Sequence, residues 1–462
     1  MSAPETLLLV DVGSTFTKAA LVDGEGGELL ARAAVPTTVG PGRDVLDGVV
    51  QVCRALAAPG RAPVPDPLDD DARDRVLVCS SAGGGLRLAV VGYEREVTAE
   101  AGHRVGLSAG ARVVHVAAGP LRTADVATLR AARPDVVLLV GGTDGGNAEV
   151  LLHNARRLAR ARVGAPVVVA GNAEAQGPVA VELASTGRRF TLAPNVLPRI
   201  GVVDPGGARS AIRQVFLEHV IGGKGLSPGP RFARLVRAAT PDAVLAGVEV
   251  LASVAGQDVL VVDVGGATTD VYSVVEPQGE DATLRKQVVA PLWHARTVEG
   301  DLGMRWGAPG VVEAAGTEGL EVGEAVAAWV GRAHVDPGLL PTSADTVDLD
   351  LRLAGLAATV AARRHGRPAA PGEPPRPLAD VGLLVGSGGA LRHAPPGRAD
   401  AVLEGVLADH GGGWRPPAQA RAVVDTDYLL LGAGLLAREH PRLARAVVSP
   451  LAAGLASGWA AG

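Results

Sequence analysis

Short runs of aliphatic and β-branched residues punctuate the chain, each followed within a few positions by glycine. They are Leu7–Val10, Val76–Val78, Val113–Val116, Val136–Val140, Val167–Val169, Val259–Val262 and Leu383–Val385. Unbroken apolar runs of this length predict strands buried on both faces beneath helices. Helical patterns follow over Ala148–Arg162, near Pro178–Thr186, and over Pro241–Gly256. Two successive strand–loop–helix units, one leaving Val140 and one leaving Val169, predict a doubly wound segment. Proline, glycine and aspartate mark linkers at Pro59–Arg75, Gly222–Pro230 and Gly366–Pro377. No solenoid period runs through the chain.

One motif does recur. Leu8-Leu9-Val10-Asp11-Val12-Gly13-Ser14-Thr15-Phe16-Thr17-Lys18 predicts a strand, a tight glycine turn and a returning strand. The same design returns in Val259-Leu260-Val261-Val262-Asp263-Val264-Gly265-Gly266-Ala267-Thr268-Thr269-Asp270. Glycine lets backbone approach phosphate oxygens, and successive N–H groups with hydroxyls form an anion cradle. An aspartate at the strand end suits hydrated Mg²⁺, which takes one or two carboxylates plus waters. Lys18 is one of three lysines, with Lys224 and Lys286, in a chain that otherwise uses arginine. Each hairpin alone is equally readable as a structural turn. A later strand exit, Val385-Gly386-Ser387-Gly388-Gly389-Ala390-Leu391-Arg392, suits packing against a flat ring. Asp427–Ala437 predicts a small-residue helix whose glycines permit close helix contact.

Composition narrows the classes. The 462 residues predict two to four domains. Net charge is −5, which argues against a nucleic-acid binder. With 47% hydrophobic residues but only 3% aromatic ones, the core is predicted to be built from Ala, Val and Leu. No apolar stretch reaches the roughly 18 residues a spanning helix needs, and Met1–Thr6 lacks the basic start of a signal peptide. The expectation is a cytoplasmic protein without membrane partners. Cys53 and Cys79 support neither a disulfide framework nor a four-cysteine metal site.

The order of the four elements resembles the actin/hexokinase/Hsp70 ATPase superfamily: phosphate-1, phosphate-2, adenosine loop and connecting helix. The implied fold is α/β and two-lobed, with duplicated ribonuclease H-like domains and an enlarged α/β middle segment. The first lobe would span 1–255, with phosphate-1 hairpin 7–22, inserted segment about 80–235 and connecting helix 242–252. The second would span 256–462, with phosphate-2 hairpin 259–275, adenosine loop 383–392 and connecting helix 427–437. More specifically, Cys79–Leu86, Val140–Asn147, Ala193–Val196, Asp263–Asp270 and Val298–Met304 resemble the glutamate mutase accessory family, of GlmL or MutL type.

That resemblance implies ATP and Mg²⁺ as cofactors and an adenosylcobalamin-dependent mutase as partner. It further implies an ATPase that reactivates the mutase by driving out damaged cobalamin. Asp11 and Asp263 would hold Mg²⁺, with Asp270 and Glu249 orienting water. Gly13, Ser14, Thr15, Lys18, Gly265, Gly266 and Thr268 would cradle phosphates. Gly386, Gly388 and Gly389 would line the adenosine.

Alternatives stand beside this reading. A small-molecule kinase of the same superfamily would need an acceptor pocket and its own base. An activator of radical dehydratases would need an iron–sulfur cluster, disfavoured by the two cysteines. A Walker A loop is absent, since Lys224 is followed by Gly225 and the upstream glycine position is Glu218. Gly141–Gly146 could serve a Rossmann-type phosphate site, although its spacing departs from Gly-x-Gly-x-x-Gly. No histidine follows an aspartate by two residues, so the cobalamin-ligating Asp-x-His-x-x-Gly motif is missing.

Overall fold

The computed structural model describes residues 5–13, 15–40, 42–58, 62–82, 86–93, 102, 111–161, 163–200, 202, 204–221, 225–275, 294–368, 375–411 and 419–454. The described residues up to Leu245 form one compact unit and those from Ala246 onward another. Among the described residues, no helix is long and apolar enough to cross a membrane.

The first unit opens with an antiparallel meander, β1 (Thr6–Val12), β2 (Phe16–Asp23) and β3 (Leu29–Pro36). Helix Val45–Leu56 packs over it, with Asp44 capping its first turn by accepting from the Leu46 N–H. β4 (Val76–Ser80) then joins β1 in parallel, as the burial of Val76, Leu77 and Val78 requires. Between this strand and its neighbour comes a separate all-parallel sheet. Its strands are β5 (Arg87–Gly92), β6 (Arg112–Ala118), β7 (Val136–Leu139), β8 (Val167–Val169) and β9 (Phe190–Leu192), in spatial order β6-β5-β7-β8-β9. Helices Glu149–Arg160 and Gln176–Ala184 follow β7 and β8, as the sequence pattern predicts. β10 (Val236–Ala239) then completes the first sheet by pairing parallel to β4, giving β10-β4-β1-β2-β3.

The second unit repeats that design. β11 (Val259–Val264), β12 (Thr269–Val274) and β13 (His294–Glu299) are antiparallel neighbours. β14 (Leu383–Ser387) and β15 (Arg421–Val424) add in parallel, giving β13-β12-β11-β14-β15. Counted within each unit's sheet, both read 3-2-1-4-5, with three antiparallel strands and two parallel ones. This is the ribonuclease H-like topology, present twice. It gives the chain the α/β fold of the actin/hexokinase/Hsp70 type, enlarged by the all-parallel sheet of the middle segment.

Valine, leucine and alanine dominate the cores, with Trp329, Phe216 and Phe232 as the largest buried side chains. The 23-residue helix Ala344–Gly366 runs through the second core. Ser343 starts it by accepting from the Thr346 N–H, while Thr346 Oγ1 reaches back to the Ser343 N–H.

Near its end, His365 is fully buried and hydrogen-bonded on both ring nitrogens, Nδ1 with Thr297 Oγ1 at 2.9 Å and Nε2 with Ser273 Oγ at 2.8 Å. Burial, aided by the nearby Arg376 cation, holds its pKa well below the ordinary histidine value. The folded imidazole is therefore neutral, whereas the unfolded one takes up a proton near pH ~6.5. The unfolded state binds the extra proton below that pH, so this contribution to stability is present above it and lost as pH falls. The expected slope is up to about 1.4 kcal/mol per pH unit below pH ~6.5. Denaturant unfolding from pH 7.5 to 5 should show a shallower slope for His365→Gln than for the wild type.

Candidate functional site

The two copies of the hairpin share a geometry. In the first, the Gly13 N–H donates to the Phe16 carbonyl at 3.1 Å. A Cβ on Gly13 would lie only 2.8 Å from that oxygen. In the second, the Gly265 N–H donates to the Thr268 carbonyl at 2.9 Å. A Cβ there would again lie 2.8 Å from the accepting oxygen. Glycine is thus fixed at both turns by the close approach of the returning chain.

Asp11 is the next-to-last residue of β1, with 6% of its surface exposed. Its Oδ1 accepts from the Thr240 hydroxyl at 2.7 Å and lies 3.6 Å from the Cys79 sulfur. Its Oδ2 lies 3.9 Å from Lys18 Nζ on the returning strand, where Asp11 and Lys18 are register partners. Burial and the Asp11 charge push the Cys79 thiol well above its ordinary range, so this sulfur is an un-ionised packing group. Behind the turn, Thr37 Oγ1 donates to the Gly13 carbonyl at 2.9 Å and the Thr37 N–H to the Thr15 carbonyl at 2.9 Å. Thr15 is exposed; Ser14 lies outside the described residues.

In the second unit, Asp263 occupies the position of Asp11, paired across the hairpin with Asp270. Asp270 is committed elsewhere. Its Oδ1 accepts from Arg296 Nε at 2.9 Å and Nη2 at 2.6 Å, and its Oδ2 from the Thr268 hydroxyl at 3.3 Å. Burial raises the Asp270 carboxyl above the usual range, and the Arg296 charge works against that shift. Gly265 and Gly266 are held from behind: their carbonyls accept the N–H groups of Met304 at 2.9 Å, Arg305 at 2.8 Å and Trp306 at 3.1 Å. Val298–Met304, singled out in the sequence, therefore leads into the support of this turn. Arg305 is itself fixed by Asp350, at 2.8 and 3.2 Å, and Asp350 also accepts from Trp329 Nε1 at 2.9 Å.

β14 delivers its glycines to the same edge of the second sheet, Ser387 lying opposite Asp263 in register. Gly388 has φ +107°, and any side chain there would collide with the Val264 carbonyl. A Cβ on Gly389 would meet nothing, so that position is open. Gly386 instead looks into the core, where a Cβ would meet Leu403 at 2.9 Å and Leu391 at 3.0 Å. Its carbonyl accepts the Asp425 N–H at 2.9 Å. Asp425 starts the helix Leu429–Leu436 by accepting the N–H groups of Leu429 at 2.8 Å and Leu430 at 3.2 Å. Arg392 stacks on the Tyr428 ring at 3.2 Å.

Glu249 lies on the helix Thr240–Ala255, 3.3 Å from His294 Nδ1. On that helix the close helix contact falls at Gly247, where a Cβ would collide with the Leu430 carbonyl. Thr240, Arg296 and Arg305 were not singled out, because each acts on residues distant in sequence. Among the described residues, no group of three or more His, Cys, Asp or Glu side chains is placed to hold a metal ion. Lone carboxylates beside glycine turns fit hydrated Mg²⁺ carried by a phosphate ligand, not an ion caged by protein.

The profile of the MutL protein family matches residues 7–450. The chain belongs to that family. It is 34% identical over 463 residues to Protein MutL of Clostridium tetanomorphum, covering 95% of this chain and 97% of that one. Solved structures are more distant. The ethanolamine utilization protein EutJ of Carboxydothermus hydrogenoformans shares 14% identity, covering 96% of this chain and 90% of EutJ, at TM-score 0.28. The xylulose kinase of Bifidobacterium adolescentis shares 11% identity, covering 97% and 94%, at TM-score 0.31. The strand order 3-2-1-4-5, present in both units, defines the fold of this MutL-family chain.

The Asp270–Arg296 pair has a measurable consequence. Arg296→Met should destabilise the fold by about 3–5 kcal/mol, since it strands a buried carboxylate. Adding Asp270→Asn should recover a large part of that loss in urea unfolding. A loss in the double variant equal to the sum of the losses in Arg296→Met and Asp270→Asn alone would show that the two side chains act independently.

Proposed function

We propose that this MutL-family chain is a Mg²⁺-dependent ATPase that reactivates an adenosylcobalamin-dependent mutase of the glutamate mutase type. The observation that carries the ATPase part is the repeated hairpin. Two sheets of the same order each carry a carboxylate next to last in their first strand, followed by a glycine turn too tight for any side chain. Asp11 and Asp263 would hold hydrated Mg²⁺, which when bound supplies charge neutralisation for the phosphates.

Phosphoryl transfer to water depends on positioning and electrostatics more than on covalent chemistry. Ser14, Thr15 and Lys18 would serve the phosphates from the first hairpin; Gly265, Gly266 and Thr268 would serve them from the second. Gly13 shapes its turn, and Gly388 and Gly389 offer bare backbone to the adenosine. Glu249 is the carboxylate proposed to orient water. Asp270, held by Arg296, acts by fixing the hairpin that carries Asp263. The mutase partner and the release of damaged cobalamin rest on family membership.

Asp263→Asn should lower ATP turnover by roughly 10²-fold or more, because a neutral amide holds the cation poorly. Wild-type turnover in that variant would overturn the assignment of Asp263. A screen of small hydroxylated metabolites should find no phosphorylated product; rapid phosphoryl transfer to one would favour a kinase.

For the partner, a mutase inactivated with hydroxocobalamin should regain activity when given this chain, MgATP and fresh adenosylcobalamin. Asp11→Asn should fail in the same assay while showing a native unfolding transition. Failure of the wild type with every candidate mutase, together with affinities unaffected by ATP or ADP, would overturn the reactivating role.

A further inference from the structure

One turn of helix carries two part-buried polar contacts, one to β1 and one to a helix on the all-parallel sheet. Thr240, the first residue of the helix Thr240–Ala255, donates its hydroxyl to Asp11 Oδ1 at 2.7 Å. Two residues on, Asp242 is 3% exposed and accepts from Arg213 Nε in an ion pair. Arg213 belongs to the helix Gly206–Val215, which packs against β7, β8 and β9 of the all-parallel sheet. Ala208, Ala211, Ile212 and Val215 join the same buried cluster as Leu138 and Val168 of that sheet. Gly207 sets the helix tightly on Pro194, where a Cβ would come within 2.5 Å of the ring. A continuous path of contacts therefore runs from the Asp11 carboxylate to the sheet of the middle segment.

The two contacts differ in what they can sense. A hydroxyl on Oδ1 fixes the rotation of the Asp11 carboxylate, leaving Oδ2 on the side of Lys18 and the hairpin. A cation or phosphate that draws on this carboxylate must pull against, or adopt, the orientation set by Thr240. The ion pair two residues on joins a nearly buried carboxylate to a partly exposed guanidinium, and displacing Arg213 would take this partner from the Asp242 charge. Any shift of the helix start is passed to Arg213 and its helix without slack, because packed interiors yield little.

We propose that the first turn of the helix Thr240–Ala255 couples metal–nucleotide occupancy at Asp11 to the all-parallel sheet, with Thr240 as a positioning residue and Asp242–Arg213 as the strut. This rests on the nucleotide-binding reading above. The coupling gives the middle segment a reason to carry its own sheet: it is the part of the first unit whose state reports on the site.

The test uses the full chain with ADP and Mn²⁺ as probes. Electron paramagnetic resonance titration should show Mn²⁺ bound about 10-fold more weakly in the presence of ADP by Thr240→Val, as one lost hydrogen bond to a carboxylate predicts. Thr240→Ser, which keeps the hydroxyl, should bind within about twofold of the wild type. Amide hydrogen exchange over 149–192 should slow when Mg²⁺ and ADP bind the wild type. In the double variant Arg213→Gln, Asp242→Asn, which removes the pair without stranding a charge, that slowing should vanish while Mn²⁺ affinity stays within about twofold. Equal Mn²⁺ affinity in Thr240→Val and wild type would overturn the positioning role. Exchange over 149–192 that ignores nucleotide, or that responds alike with and without the ion pair, would overturn the coupling. A wild type that binds neither ADP nor Mn²⁺–ADP would instead overturn the nucleotide reading itself.

Discussion

A carboxylate at the end of a buried strand is unfavourable unless its surroundings compensate for the lost water. Asp11 is held in that position by a hydroxyl, a thiol and an ammonium drawn from three separate strands or helices. The local fold is arranged around meeting this cost. β2 supplies Lys18 through the hairpin register, β4 supplies Cys79 as the parallel partner of Asp11, and the helix after β10 supplies Thr240. Remove the carboxylate and these groups lose their common partner. Keep it, and the sheet order around β1 has to bring β4 and β10 to one side while the hairpin closes the other.

The second unit meets a similar demand differently. Asp263 faces Ser387 across the parallel pair and Asp270 across the hairpin. Two carboxylates opposite each other would repel, so the second is neutralised by a buried arginine from β13. The first unit has Lys18 where the second has Asp270, and Cys79 where the second has Ser387. The topology is duplicated while the chemistry of the paired positions is not. Each copy therefore offers the same turn with different charges beside it.

Much of this frame was legible in the sequence because it is local. An aspartate two residues before a glycine, between apolar runs, specifies strand, turn and return without help from elsewhere. The valine runs likewise predicted their strands, since burial on both faces leaves no polar alternation to misread. What was hidden depends on distant partners. Thr240 lies 229 residues from Asp11, and Arg296 lies 26 from Asp270, so neither could be matched to its acceptor by spacing. Gly386 carries the same glycine signal as Gly388, yet one faces Leu403 and the other lies against the Val264 carbonyl. The packing of Leu391 and of helix Arg398–Leu407 over β14 separates the two roles.

The glycine loop after β7 shows why a local signal can carry the wrong chemistry. Gly141 and Gly142 have φ of +150° and +71°, and the loop precedes a helix, as a phosphate site would require. Yet Asp144 Oδ1 accepts the Ala173 N–H at 2.8 Å and the Asn195 amide at 2.8 Å. Asn147 Oδ1 takes the Glu149 N–H at 2.8 Å, at the start of the helix that follows. The protein places its own oxygens on donors that an incoming anion would use, and it adds the carboxylates of Asp144, Glu149 and Glu174 nearby. Asn172 and Asn195 hold the loop by donating to the Gly146 and Gly142 carbonyls, each at 3.0 Å. Val140–Asn147 and Ala193–Val196 thus converge on a lock that fixes the ends of β7, β8 and β9 together. A sheet whose strand ends are locked moves as a body, so a displacement delivered through Arg213 reaches all three strands at once.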